Sequence, residues 1–220
     1  MENASTPLAQ VHQNIAKAAK ISRRQLGEIS LVAVSKKHPV AAIKTLLDEG
    51  HRVFGENRVQ EAQEKWPGLR EAYPDAELHL IGQLQSNKAD DAVALFDCIH
   101  SLDRPSLLKA LAKAMDKAAR RVPCFVQVNI GDEEQKGGVA ISDLPKFLDK
   151  VRDADVPLAG LMCIPPADIE PAPFFAFLGK LAQDNDLEGL SMGMSGDYET
   201  AIMLGATHIR VGTALFGERE

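Results

Sequence analysis

Short apolar runs rich in β-branched residues alternate along the chain with longer stretches whose apolar residues recur at helical spacing. The runs fall at 31–35, 52–55, 78–81, 97–102, 123–129, 158–163, 187–192 and 207–211. Parallel strands can be reconnected only through a crossover, usually a helix, so this alternation predicts βα units around a parallel sheet. The segment 39–47 reads as a helix with Pro39 in its first turn, Val40, Ile43, Leu46 and Leu47 on its buried face, and Gly50 as its stop. The segment 105–120 repeats the design, with Asp103 as the expected N-cap and Leu107, Leu108, Leu111 and Met115 as the buried stripe. A further amphipathic stretch, 8–19, precedes the first strand and is expected to cap the bottom of the barrel as part of an N-terminal segment 1–30.

Eight βα units predict a closed (β/α)8 TIM barrel, and 220 residues are close to the lower limit of about 200 for that fold. The expectation is therefore one domain over residues 1–220 with little decoration. An open doubly wound sheet is the alternative, but the early strand turns carry no G-x-G-x-x-G fingerprint. The proline-rich stretch from Pro165-Pro166 to Pro173 reads as a loop after the sixth strand.

Composition narrows the function. With 25 Lys+Arg against 31 Asp+Glu the net charge is −6, which argues against a nucleic-acid binder held by phosphate neutralisation. The opening Met1-Glu2-Asn3-Ala4-Ser5-Thr6 has neither a basic nor an apolar leader region, and no apolar run approaches a membrane span. A cytoplasmic protein without a membrane partner is expected. Cys98, Cys124 and Cys163 are widely spaced in apolar segments, so neither a disulfide nor a metal site is expected.

In a barrel of this kind the carboxyl ends of the strands build the site. Those ends carry Lys36, Glu56-Asn57, the stretch 82–87, Ser101, Asn129, Met162, the run Ser191-Met192-Gly193-Met194-Ser195, and Arg210-Val211-Gly212-Thr213. Lys36 closes the first strand, where desolvation favours a neutral amine able to form a Schiff base; on position alone the commoner reading is a solvated loop lysine, as Lys37 is expected to be. The turns after strands seven and eight bring backbone N–H groups and the Ser195 hydroxyl together at the pair of loops where barrels commonly bind phosphate, although glycine turns are also common there for structural reasons. Arg210 lies near the barrel mouth and needs an acceptor, either an ion-pair partner or a ligand. His79 and His208 read as satisfied core histidines, Asp132-Glu133-Glu134 with Lys136 as a solvated charged loop, and Met162, Met192 and Met194 as core filling.

A lysine after strand one and a phosphate cradle after strands seven and eight suit pyridoxal phosphate. The strings Val32-Ala33-Val34-Ser35-Lys36, Phe54-Gly55-Glu56-Asn57, His79-Leu80-Ile81-Gly82 with Gln85-Ser86-Asn87-Lys88, Val128-Asn129-Ile130 with Lys136, Gly160-Leu161-Met162, the run 190–195 and the run 210–217 together resemble the pyridoxal phosphate homeostasis family. The resemblance covers nearly the whole chain from residue 31 onward. It implies a fold type III barrel similar to the N-terminal domain of alanine racemase, without that enzyme's C-terminal β domain, and a non-catalytic carrier or regulator of pyridoxal 5'-phosphate (vitamin B6). By position it makes Lys36 the Schiff-base lysine. It sets Ser191, Gly193, Ser195, Gly212 and Thr213 around the phosphate, Arg210 near the pyridine nitrogen and Asn57 in the pocket lining; Lys136 is expected as a secondary contact from its position in the loop after strand five alone. Apo-enzymes that use the cofactor would be its recipients.

Two positions depart from the family pattern: Gln83 stands where many relatives have proline, and Gly196 where many have aspartate. The competing functions are an amino-acid racemase, which would need a tyrosine opposite Lys36, and a Schiff-base aldolase acting on a sugar phosphate without the cofactor.

Overall fold

The computed structural model describes residues 6–133 and 135–217; Glu134 and both chain ends, including the first five residues of the opening read for a leader, lie outside the described residues. Eight parallel strands close into a barrel in chain order: β1 Ser30–Val34, β2 Val53–Glu56, β3 Glu77–Leu80, β4 Cys98–Leu102, β5 Cys124–Gln127, β6 Leu158–Met162, β7 Leu190–Ser191 and β8 His208–Val211. The (β/α)8 reading therefore holds over the open-sheet alternative. Closure between β1 and β8 pairs Val32 with Arg210 and Ala33 with Val211. That register brings the turn after β1 beside the turn after β8.

The helices are α1 Pro7–Ile21, α2 Val40–Asp48, α3 Val59–Ala72, α4 Ala89–Leu95, α5 Pro105–Ala118, α6 Leu144–Asp153, α7 Ala172–Gln183, α8 Tyr198–Met203 and α9 Thr213–Phe216. In α2, Ile43, Leu46 and Leu47 are buried, but Val40 is 40% exposed because the first residue of the helix sits above the packed layer. The expected Asp103 cap on α5 is absent. Arg104 holds the N-cap position, and Asp103 Oδ1 instead accepts from Arg104 Nη1 at 2.6 Å.

The N-terminal helix buries Leu8, Val11, Ile15, Ala18 and Ala19 and is capped by the Thr6 hydroxyl, which accepts from Ala9 N at 3.2 Å. It packs against α8 and α9, in the wall where α9 has only four residues. The segment after it meets the lower end, where Arg24 Nη1 donates to Ile202 O and Ala206 O, and its start meets the turn before β2, where Thr6 Oγ1 donates to Glu49 Oε2 at 2.8 Å and the rings of His12 and His51 lie 6.5 Å apart. The stretch expected to cap the barrel bottom packs along the wall beside α8 and α9 and contacts lower turns from both of its ends.

Two strands, β5 and β7, are shorter than their apolar runs by three residues or more. Leu187 N donates to Ala182 O at 3.0 Å, closing the end of α7, so β7 begins only at Leu190. Beyond Gln127 the chain leaves β5 through one bridge from Val128 to Val139, and Asn129 turns it by accepting from Glu133 N at 3.1 Å.

The larger core lies between strands and helices, with Phe54 and Trp66 at ring centroids 5.2 Å apart. The barrel interior differs. His79 on β3 and Phe125 on β5 both contact the ring of His208 on β8, at 6.0 and 4.9 Å. Residues on non-adjacent strands meet in this way only through the lumen. Cys98, Phe125 and Met162 form a small apolar cluster there, beside the buried polar residues His79, His100, Ser191 and Arg210.

Candidate functional site

The turn after β1 is pinned by α3 and the end of β2. Ser35 N donates to Gly55 O at 2.9 Å, and its hydroxyl donates to Glu56 Oε1 at 2.8 Å. Lys65 Nζ reaches in from α3 to Ser35 O (3.1 Å), Glu56 Oε1 (3.0 Å) and Glu61 Oε1 (2.7 Å). Lys37 N donates to the Glu61 carboxylate, and His38 N closes the turn on Ser35 O at 3.1 Å. Both residues flanking Lys36 are thereby fixed by side chains from the next βα unit.

Glu56 is fully buried, and burial pushes its carboxyl above the ordinary range although Ser35 and Lys65 pull it back. Its Oε1 also lies 3.4 Å from Trp66 Nε1, while Oε2 has no hydrogen-bond partner. For Glu61, burial acts upward, but the bonds from Lys65 and Lys37 N outweigh it and hold the carboxyl low.

Above this turn lies a cavity of about 280 Å³, a size close to the lower end for small-molecule sites. It is lined by Lys36, Asn57, Ser195, Gly196, Arg210, Gly212 and Thr213, with Val34, Ile81, Ile164 and Met194 as apolar wall. Six of the residues singled out from the sequence are therefore neighbours in one pocket: Lys36, Asn57, Ser195, Arg210, Gly212 and Thr213. The two cradle loops are joined directly, because Gly212 N donates to Ser195 Oγ at 3.1 Å. That bond takes a lone pair of the hydroxyl and leaves its proton to be donated elsewhere.

The remaining expected cradle residues are placed otherwise. Ser191 is fully buried below the pocket, and its Oγ accepts from Arg210 Nη1 at 2.6 Å and lies 2.7 Å from His100 Nδ1. Gly193 has φ of 92°, and a Cβ there would come within 2.5 Å of Ala201 Cβ, so its role is to seat the loop on α8. Neither lines the cavity, because one side chain is committed downward and the other position is consumed by packing.

Lys136 lines a second cavity, of about 330 Å³, that shares Asn57, Ile81 and Ile164 with the first. Its ammonium forms an ion pair with Glu133 Oε2 at 2.6 Å and donates to Pro165 O at 3.1 Å. Gln83 gives this second cavity its shape: its amide donates to Gln127 Oε1 at 2.8 Å, and Gln127 donates to Gly137 O at 2.9 Å, tying the loop after β3 to the loop after β5. Gly196 leaves open space at the cradle edge, and Asp197 secures the start of α8 by accepting from Met194 N at 2.5 Å.

Arg210 has no ion pair among the described residues. Its second terminal nitrogen donates to Cys163 O at 3.0 Å, so the buried cation is met by a hydroxyl and a carbonyl. His79 and His208 are satisfied core histidines, bonded to His100 and Thr207 respectively. The three cysteines are free and buried. Among the described residues, one group, His79, Cys98 and His100, has ligand atoms close enough for a metal ion, but one nitrogen of each imidazole is taken by a 3.1 Å hydrogen bond between them.

Sequence reasoning passed over Ser35, Glu61, Lys65 and His100. The Glu61 and Lys65 spacing of i,i+4 was the available signal for two of them.

A lysine at the end of strand one, an arginine on strand eight and a hydroxyl-and-glycine cradle between them, all on one small barrel, define a cofactor-binding barrel of the alanine racemase type. Residues 7–220 match the family described as alanine racemase, N-terminal domain, to which the chain belongs. Within it, the chain is 37% identical over its whole length to the pyridoxal phosphate homeostasis protein of Escherichia coli, covering 98% of that protein. It is 38% identical to the protein of the same name from Pseudomonas aeruginosa, covering 100% of this chain and 97% of that one. Among solved structures, PipY of Synechococcus elongatus with PLP bound matches with a TM-score of 0.82 and 38% identity over 93% of this chain and all of PipY. Alanine racemase of Clostridium difficile matches with a TM-score of 0.71 at 14% identity, over 94% of this chain and 56% of the racemase, a likeness of fold.

Proposed function

We propose that this protein holds pyridoxal 5'-phosphate as a Schiff base on Lys36 and serves in cytoplasmic cofactor homeostasis, passing the cofactor to apo-enzymes that require it. The observation that carries the reading is the single cavity shared by Lys36, Arg210 and the Ser195–Gly212–Thr213 cradle. The residues fit the group. Lys36 supplies an amine for the aldehyde, with loss of water when the bond forms; Ser195 and the neighbouring backbone supply donors for the phosphate, and Arg210 a donor for the ring nitrogen. When bound, the cofactor supplies an electron sink and an exchangeable aldehyde.

Arg210 cannot readily give up its proton, so it donates to the ring nitrogen without protonating it and leaves the sink weak. Neither tyrosine lines the cavity: Tyr198 OH accepts from Asn14 Nδ2 at 3.1 Å, and Tyr73 bonds Asp48. A racemase working with Lys36 and an opposed tyrosine therefore lacks its second base among the described residues. No helix among the described residues is long and apolar enough to cross a membrane.

Loaded protein mixed with an apo-enzyme of the pyridoxal phosphate class is expected to restore that enzyme's activity, while single enantiomers of alanine and serine remain uninverted. Efficient inversion that disappears in Lys36→Ala would replace the carrier reading with the racemase.

A further inference from the structure

Four buried residues on four strands form one hydrogen-bonded line through the barrel. Arg210 Nη1 stands 2.6 Å from Ser191 Oγ, Ser191 Oγ 2.7 Å from His100 Nδ1, and His100 Nε2 3.1 Å from His79 Nδ1. Their exposures are 5%, 0%, 0% and 4%. One ordering of the protons leaves none in this line without an acceptor. A guanidinium has donors and no acceptor, so Ser191 Oγ accepts from Arg210; its second lone pair could also accept from His100, but the hydroxyl proton would then have no acceptor among the described contacts, so the satisfied arrangement gives that proton to His100 Nδ1. His100 then carries its proton on Nε2 and donates it to His79 Nδ1. That leaves the His79 proton on Nε2, which points to the Glu77 carboxylate 3.8 Å away at the lower end of β3.

We infer that His100, acting through Ser191, is a positioning residue for Arg210: the neutral, directed chain fixes one arm of the guanidinium and so aims the others into the cavity. The inference rests on the cofactor reading given above and deepens it at the ring-nitrogen contact. Remove the acceptor at His100 and the Ser191 proton has no partner; the hydroxyl can then rotate, and the arginine arm loses its fixed acceptor. An isolated arginine in a lumen would otherwise choose among rotamers, since the carbonyl of Cys163 alone holds the second arm. A metal at His79 and His100 is incompatible with the same chain, because their shared proton would have to leave.

The test uses the full chain loaded with pyridoxal 5'-phosphate. Ser191→Ala and His100→Phe should release the cofactor about tenfold faster, the size of one lost charge-assisted hydrogen bond, and shift the visible absorbance band, with borohydride still placing the adduct on Lys36. Ser191→Thr, which keeps a hydroxyl, and His100→Asn, whose amide can present an acceptor near Nδ1, should restore most of both readouts. Parent-like release and an unmoved band in Ser191→Ala and His100→Phe would overturn the inference. The parent protein gives an independent reading: nitrogen-15 NMR should find His100 and His79 as neutral Nε2–H tautomers, and an Nδ1–H tautomer at His100 would contradict the chain even if Lys36 proved not to hold the cofactor.

Discussion

The turn that carries Lys36 and the arginine that lines the same cavity are held by different kinds of polar structure. Beneath Lys36 the support is ionic: Glu56 and Glu61 share the Lys65 ammonium, and the carboxylates and the ammonium grip Ser35 and Lys37. Beneath Arg210 the support is neutral: a hydroxyl and two imidazoles, ordered by proton direction. The first lies between strand and helix, where Lys65 keeps a side-chain exposure of 13% and can balance the buried carboxylate. The second lies in the lumen, where burial pushes His100 well below the usual histidine range and the nearby imidazoles and Arg210 push the same way. A second charge beside the guanidinium would be costly there, so neutral donors and acceptors are the stable solution.

The ionic side should be the easier to break. Lys65→Met leaves Glu56 buried without its cation and should cost about 3 kcal/mol, lowering the melting temperature by roughly 10 °C. The double variant with Glu56→Gln should recover most of that loss. An equal loss in both would show that Lys65 matters through packing alone.

Acid should act on two histidines, His208 in the lumen and His51 in the turn before β2 against Val53 O, and on Glu56 with opposite sign. His51 and His208 are held down to about 4, in both cases chiefly by burial. Above pH 6.5 they are neutral in folded and unfolded chains alike. As pH falls from 6.5 towards 4 the unfolded chain takes up protons that the folded one refuses, a loss of up to ~3 kcal/mol per histidine. Glu56 runs the other way, since its raised pKa means that acid relieves the cost of burying its charge. Denaturant unfolding at pH 7, 6 and 5 should show stability falling over this range; a flat profile would contradict the neutral-histidine account.

At the cradle, Ser195→Asp sets a fixed negative charge against the phosphate and removes a donor. Cofactor affinity should fall about 100-fold, or ~2.7 kcal/mol, with the fold retained. Unchanged affinity by equilibrium dialysis would move the phosphate elsewhere. The smallest effect is expected at Lys136→Ala. Its ammonium is already paired with Glu133 in the neighbouring cavity, so loading and release should change about threefold. Rates equal to the parent would leave Lys136 as a solvated loop lysine.

The strands were legible because each buried run is short, β-branched and bounded by turn residues, and the strand ends then placed Lys36, Ser195, Arg210 and Gly212 at one mouth. The deeper chemistry was not legible. Ser191 sits in a strand of two residues, where alternation is too short to tell lumen from loop, and its hydroxyl serves Arg210 below the pocket. His100 lies in the run Cys98-Ile99-His100-Ser101-Leu102, which reads as strand core; only barrel closure brings it to Ser191, 91 positions away in sequence. Glu61 and Lys65 have the i,i+4 spacing common to solvated helix pairs, which does not mark a site, and only the packing of α3 under the β1 turn turns them inward.

The claim on which the rest depends is that Lys36 carries the cofactor. Borohydride reduction of the loaded full chain, followed by peptide mapping, should place one pyridoxyl group on Lys36 and leave Lys37, Lys65 and Lys136 unmodified. A reduced adduct found chiefly on another lysine, or none at all in a protein that retains the cofactor, would contradict the account.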